Sequence, residues 1–213
     1  MSRTAIGAAY CRLVEQGQPP ALRQFDDPVV ARLLDPMLAM LAGAGPVQDH
    51  VLDSMAPGTY GGLVMRTRYI DDVVNAWAES GATQLVILGA GLDTRAYRLP
   101  SLSRVTVFEA DLPDLQRQKQ DRLRDVPPRA WAVRFVPVDF NTQPLDQVLG
   151  GAGFDARRPA LFVWEGVTQY LTEPAVRATL AFVSGSAAGS WLVFTYVCPA
   201  WSGRTPFRGG QAN

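Results

Sequence analysis

The sequence predicts an α/β domain built on a doubly wound, mainly parallel sheet and preceded by a helical cap. Three observations carry that expectation. From Gln84 onward, short apolar runs alternate with helix-like segments, the rhythm of βαβ units. The first run, Leu85-Val86-Ile87-Leu88, is apolar without alternation, as a strand buried on both faces should read, and it breaks at the glycine turn Gly89-Ala90-Gly91. Before Gln84 the apolar residues recur only at helical spacing.

Taken in order, residues 4–15 read as a helix stopped by Gly17 and by Pro19-Pro20. Asp27 and Pro28 mark the next start, a cap followed by a first-turn proline. Leu33, Leu34, Met37, Leu38 and Leu41 give that segment an apolar face, interrupted or kinked at Pro36. A glycine- and proline-containing loop over 43–59 follows. Leu63, Ile70, Val73, Val74 and Trp77 then define a clearer helix, with Gly81 where a C-terminal glycine belongs. Strands are expected at 85–88, 105–110, 132–138, 160–164 and 190–197. Helices are expected at 112–124, near 145–149, and at 174–188 behind a Thr172 cap. Right-handed crossovers between these strands make the sheet parallel and cover both its faces. Residues 1–82 thus form the helical cap, 83–198 the α/β core, and 199–213, which lack periodicity, a flexible tail.

Composition removes several function classes. Of the 213 residues 47% are hydrophobic, and 20 basic and 20 acidic side chains cancel, so neither long disorder nor a broad attraction to nucleic acid is expected. No uninterrupted apolar stretch reaches membrane-spanning length, and the first residues lack the pattern of a signal peptide. A cytoplasmic protein without membrane partners is the expectation. Cys11 and Cys198 lie at opposite ends, which excludes a disulfide framework and a cysteine metal site. His50 is the single histidine and sits in a loop, so metal and Ser-His chemistry have one candidate at best. Nearly all the basic residues are Arg, Lys119 being the lone Lys, a bias of the kind genome composition produces.

The chemistry concentrates at the strand ends, where open α/β sheets bind ligands. Gly89 and Gly91 let the backbone turn sharply and a ligand approach closely. The second strand ends in Phe108-Glu109-Ala110-Asp111, and a carboxylate there can accept from both hydroxyls of a ribose. An adenosine-type cofactor fits this edge. The dinucleotide fingerprint would want glycine where this chain has Thr94, and Asp93 would repel a pyrophosphate, so a nicotinamide cofactor is disfavoured. A phosphate-binding P-loop motif does not occur. By itself the glycine pair is also compatible with a plain tight turn.

The wider string is more specific. Leu88 to Leu99 (LGAGLDTRAYRL) with Phe108-Glu109-Ala110-Asp111-Leu112-Pro113 behind it resembles the leucine carboxyl methyltransferase-like family of S-adenosylmethionine-dependent O-methyltransferases. Phe25-Asp26-Asp27-Pro28, the block from Arg66 to Asp72 and the block from Glu165 to Leu171 match three further family motifs in order, so the resemblance runs from about Ala5 to Tyr196. It looks especially like the actinobacterial branch and like carboxyl methyltransferases acting on polyketides.

The resemblance implies S-adenosyl-L-methionine as cofactor, S-adenosyl-L-homocysteine as product and a small-molecule methyl acceptor. It places Gly89, Ala90 and Gly91 under the methionine portion. Asp111 belongs at the ribose diol, with Glu109 as the alternative and Leu112 beside it. Asp139 and Phe140 belong at the adenine, Arg66 at the cofactor carboxylate and Glu165 at its ammonium. Tyr170 would line the acceptor pocket. Structural readings compete: Asp111 could cap the following helix, Arg66 could be a surface residue easily confused with Arg68, and Tyr170 could be a packed aromatic. A carboxylate acceptor is already ionised at neutral pH and needs no general base, which suits a chain with one histidine. The family continues past the fifth strand with elements that wall the acceptor site, whereas this chain ends 16 residues after Val197. That implies a truncated chain, a partner copy that covers the open fifth-strand edge in a homodimer, or a cofactor-binding protein without turnover.

Overall fold

The computed structural model describes residues 3–42 and 58–197, and the statements below concern those residues. His50, Cys198 and the expected tail lie outside them.

Helix α1 (Arg3–Gln16) leads to Gly17 as expected. The start expected at Asp27-Pro28 comes two residues later: α2 (Val30–Leu33) has Val29 at its N-cap position, and Asp27 Oδ1 accepts from the Val30 amide at 3.0 Å across the turn that precedes it. The segment expected to be interrupted at Pro36 is two helices, α2 and α3 (Pro36–Ala42). Leu34 is extended, and the Asp35 carboxylate accepts from the Met37 amide to start α3. Met37, expected on the apolar face, is instead 72% exposed. Helix α4 (Thr59–Glu79) buries Val64, Thr67, Ile70, Asp71, Val74 and Trp77, an inward stripe holding one hydroxyl and one carboxylate. Gly81 follows at φ 90, a left-handed position.

The α/β part follows the expected alternation. Strand β1 (Gln84–Leu88) is buried throughout. A single turn α5 (Arg95–Arg98) and a 3₁₀ turn at Pro100–Arg104, neither expected from sequence, lead to β2 (Thr106–Asp111). Then come α6 (Pro113–Leu123), β3 (Ala132–Pro137), α7 (Leu145–Gly151), β4 (Leu161–Trp164), a 3₁₀ turn at Thr168–Tyr170, α8 (Glu173–Ser184) and β5 (Trp191–Phe194). Thr172 caps α8 by accepting from the Ala175 amide.

The five strands form one parallel sheet in the order β3-β2-β1-β4-β5. Chain order reverses between β1 and β4, so the crevice that binds ligands in open sheets lies above their carboxyl ends. Alternate strand residues feed two cores. Leu85, Ile87, Val107, Leu161 and Val163 pack with Val30, Leu33, Ile70, Val74 and Trp77, so α2 and α4 form a layer of the same body. On the other face Val86, Phe108 and Phe162 pack with Leu149 and Phe154. Phe154 meets Phe108 edge-on at 5.6 Å between centroids. Strand β5 lies at the sheet's edge, with Trp191, Phe194 and Tyr196 exposed.

Candidate functional site

The loops that follow β1, β2, β3 and β4 meet over the crevice. Together with α1 and α4 they enclose a cavity of about 510 Å³, within the ordinary range of small-molecule sites. All ten residues expected from the sequence line it. Gly89, Ala90 and Gly91 come from the loop after β1, Asp111 and Leu112 from the end of β2, Asp139 and Phe140 from the loop after β3, and Glu165 and Tyr170 from the region after β4. Arg66 reaches it from α4. Helix α1 contributes Thr4, Ala5, Gly7, Ala8 and Arg12, a wall that sequence reasoning did not anticipate.

Both loop glycines are left-handed, Gly89 at φ 71 and Gly91 at φ 47, which L side chains rarely adopt. A Cβ on Gly89 would lie 2.3 Å from Val167 Cγ2, so its missing side chain makes room for Val167 as well as for the turn. The Gly89 and Ala90 amides both donate to the Ala110 carbonyl, at 2.7 and 3.1 Å, and the Gly91 amide donates to Asp111 Oδ2 at 2.5 Å. Loop and strand end are thus tied together. Asp111 Oδ1 accepts from the Leu112 amide at 2.7 Å, and no side chain caps α6, so capping does not account for Asp111. Burial raises its carboxyl above the ordinary range against the pull of those two amides.

Glu109, the alternative to Asp111, does not line the cavity. It is fully buried and pairs with the Lys119 ammonium at 2.5 Å. The lone lysine therefore has a structural job that a compact ammonium on a flexible stem suits. Asp139 holds its own turn, Oδ1 accepting from the Asn141 amide at 2.9 Å, while Phe140 packs against the second core. Tyr170 is exposed at the rim, where its hydroxyl meets Thr4 of α1.

Beneath the glycine loop lies a polar network that joins all four sequence motifs. Glu165 Oε1 accepts from Arg66 Nε at 2.7 Å and Oε2 from Arg95 Nη1 at 3.0 Å. Arg95 also bonds Asp93, and its Nε reaches Asp71 at 2.8 Å. Asp71 takes both Nη groups of Arg98, at 2.7 and 2.8 Å. Thr94 Oγ1 donates to Asp27 at 2.7 Å and accepts from Arg12 at 2.9 Å and Arg98 at 3.0 Å. Arg12 closes the set on Asp27 at 2.9 Å, and the Arg98 guanidinium stands 5.6 Å over the Phe25 ring. By contrast Arg68 pairs with Asp72 at the surface, so of the two arginines Arg66 is the one at the cavity.

This network revises two readings. Thr94, read as a defect in a glycine fingerprint, is fully buried with its hydroxyl used three ways. Asp93, read as a charge that would repel an anion, is neutralised inside the protein. Burial pushes its carboxyl up, but Arg95, Lys119 and Arg12 together with the Arg95 amide outweigh that and hold it at about 2, below the ordinary 3.8. A folded-state value below the unfolded one means stability that is present above pH 4 and lost as pH falls toward 2. Asp93→Asn is therefore expected to remove on the order of 2 kcal/mol of the acid dependence between those limits. Urea titrations of both proteins at several pH values check this.

Comparison with known proteins follows the same residues. The family model for leucine carboxyl methyltransferase matches residues 5–184. The chain belongs to this family. A relative from Frankia alni is 35% identical over 204 residues, covering 93% of this chain and 69% of its own length. One from Mycolicibacterium gilvum is 42% identical over 138 residues, covering 64% and 45%. One from Mycobacterium sp. strain KMS is 36% identical over 182 residues, covering 81% and 58%. All three are named, by inference, as S-adenosyl-L-methionine-dependent methyltransferases. The chain thus spans about half to two thirds of the length of these curated relatives. A solved structure of a DUF574 family protein from Streptomyces avermitilis superposes with a TM-score of 0.53 at 14% identity, covering 82% of this chain and 70% of that one, a likeness of fold.

Within a family member, the residues that sequence reasoning missed are the ones that hold the motifs to each other: Arg12, Asp71, Asp93, Arg95 and Arg98. One signal was legible. Asp71 lies four residues after Thr67 and follows Ile70 on the inward face of a helix, where a carboxylate implies a buried cation.

Proposed function

We propose that the protein is an S-adenosyl-L-methionine-dependent O-methyltransferase that acts on a small-molecule carboxylate. The observation that carries this reading is the set of complementary groups around one cavity at the switch point of the sheet. The cofactor has a ribose diol, an adenine and a zwitterionic amino-acid end, and each has a matching group. Asp111 offers carboxylate oxygens beside the glycine turn, and the two amides it already bonds orient it. Arg66 bonds Glu165 through Nε, and among the described residues its Nη groups donate to none, which leaves them for an incoming carboxylate. Glu165 supplies negative charge for an ammonium, and Asp139 and Phe140 flank the adenine end.

Bound there, the cofactor supplies an electrophilic methyl group on its sulfonium. The chain's own residues then have a task of placement. Asp111 and Arg66 hold opposite ends of the donor, α1 and Tyr170 close the rim, and the apolar wall with Leu63, Leu115 and Leu171 keeps water from the acceptor. An acceptor carboxylate is ionised at neutral pH, so an in-line displacement asks for no general base. Holding two reactants in line supplies effective concentrations on the order of 10⁵ M or more. The chain's one histidine accords with such a reaction.

Calorimetry with S-adenosylmethionine, S-adenosylhomocysteine and NAD tests the cofactor. Binding of the two sulfur nucleosides and not of NAD is expected, and the absence of binding by either sulfur nucleoside overturns the reading. Transfer of a labelled methyl group over a panel of carboxylic acids and phenols then tests the acceptor. Labelling confined to phenols overturns the carboxylate assignment.

A further inference from the structure

The Arg66–Glu165 ion pair stands in the wall where, on the reading above, an amino-acid end must enter. A ligand carboxylate that takes the Nη groups of Arg66 competes with Glu165 for that guanidinium, and a partly buried carboxylate that loses its counter-charge is costly. The two partners of Glu165 differ in kind. Arg66 reaches from α4 with its side chain 28% exposed, and it bonds through Nε. Arg95 is 3% exposed, sits on the one-turn helix α5 directly behind the glycine loop, and is pinned by Asp71 at 2.8 Å and by Asp93. The pair of bonds is therefore one wet and movable, one dry and fixed.

We propose that Arg95 is a positioning residue for ligand binding: it holds and neutralises Glu165 from behind, so that Arg66 can leave that carboxylate for the ligand's own without stranding a charge in the wall. The inference rests on the methyltransferase reading and deepens it. A ligand that carries both an ammonium and a carboxylate then replaces one ion pair by two, Arg66 with its carboxylate and Glu165 with its ammonium. A ligand lacking that end meets a wall already satisfied and gains nothing from either residue. Arg95 thereby makes the site selective for nucleosides bearing a zwitterionic amino-acid end. It touches the ligand nowhere in this scheme. Asp93 and Asp71 share the Arg95 guanidinium with Glu165 and keep it in place.

The test compares S-adenosylhomocysteine with 5′-methylthioadenosine, which keeps the nucleoside and sulfur and lacks the amino-acid end. In the wild-type protein calorimetry should find the first bound more tightly by at least about tenfold. Arg95→Lys keeps the charge but loses the fork that spans three carboxylates. It should weaken S-adenosylhomocysteine by at least about tenfold while 5′-methylthioadenosine changes by less than about twofold. Equal losses for both nucleosides, or no loss for either, overturn the positioning role and leave the methyltransferase reading standing. If the wild-type protein binds neither, the reading falls and the inference with it.

Arg66→Ala gives a second measurement that leaves the buried network in place. With Arg95 still behind Glu165, thermal stability should stay within about 2 °C of wild type from pH 4 to pH 7. A variant that loses clearly more stability than that has a Glu165 charge stranded by the loss of Arg66. That outcome makes Arg66 the required counter-charge and overturns the proposal.

Discussion

Asp71→Asn is expected to destabilise the fold by about 3–5 kcal/mol, the usual consequence of removing one partner from a buried ion pair. Asp71 is 3% exposed and receives three bonds, one from Arg95 and two from Arg98, both of which are themselves buried. An amide of the same shape keeps one acceptor oxygen and leaves two guanidinium groups short of charge in a dry interior. The neighbouring residue supplies the control. Asp72 pairs with Arg68 where the two side chains are 55% and 46% exposed, and Asp72→Asn should cost at most about 1 kcal/mol. Urea unfolding of both variants measures the difference. A loss below about 1 kcal/mol for Asp71→Asn would show that water reaches the network and compensates it.

Asp111→Ala is expected to weaken S-adenosylhomocysteine by about 30- to 1,000-fold, the loss of one or two charge-assisted hydrogen bonds to a diol. The variant also frees the Gly91 amide, so the glycine loop loses its tie to β2. The pH profile carries a separate signature. Only an ionised carboxylate accepts from both hydroxyls and both amides at once, and burial raises the Asp111 carboxyl. Affinity should therefore fall on acidification at a higher pH than an ordinary aspartate would give. Glu109→Gln, which alters the fully buried pair with Lys119, should lower stability and leave that affinity in place. Unchanged affinity in Asp111→Ala, measured by calorimetry, would show the diol is held elsewhere.

Much of the fold was legible because its signals are local. Strand β1 is an unbroken apolar run since both of its faces are covered, and that needs no knowledge of its neighbours. The cap at Thr172 and the left-handed Gly81 are likewise written within a few residues. The short turn α5 was not legible, because four residues carry too little periodicity to distinguish a helix from a loop. Met37 misled for a related reason: helical spacing marks an apolar face without saying whether anything packs on it.

The same division runs through the cavity. The glycines and the acid at the strand ends could be named from sequence, since a left-handed turn and a carboxylate beyond an apolar run are rare where nothing requires them. The choice between Glu109 and Asp111 belonged to tertiary structure: two residues apart on one strand, they meet different surroundings, Lys119 for the first and the glycine loop for the second. The network went further beyond reach. Its bonds join residues 99 apart in Arg66–Glu165 and 67 apart in Thr94–Asp27, and a charge in a sequence does not reveal which distant charge will face it. By itself, then, the sequence determined the strands, the crevice and the family, which depend on backbone conformation and burial. Only the tertiary structure decided that Thr94, Asp71 and Arg95 hold the four motifs together, because ion pairing in a dry interior depends on distance in space and not along the chain.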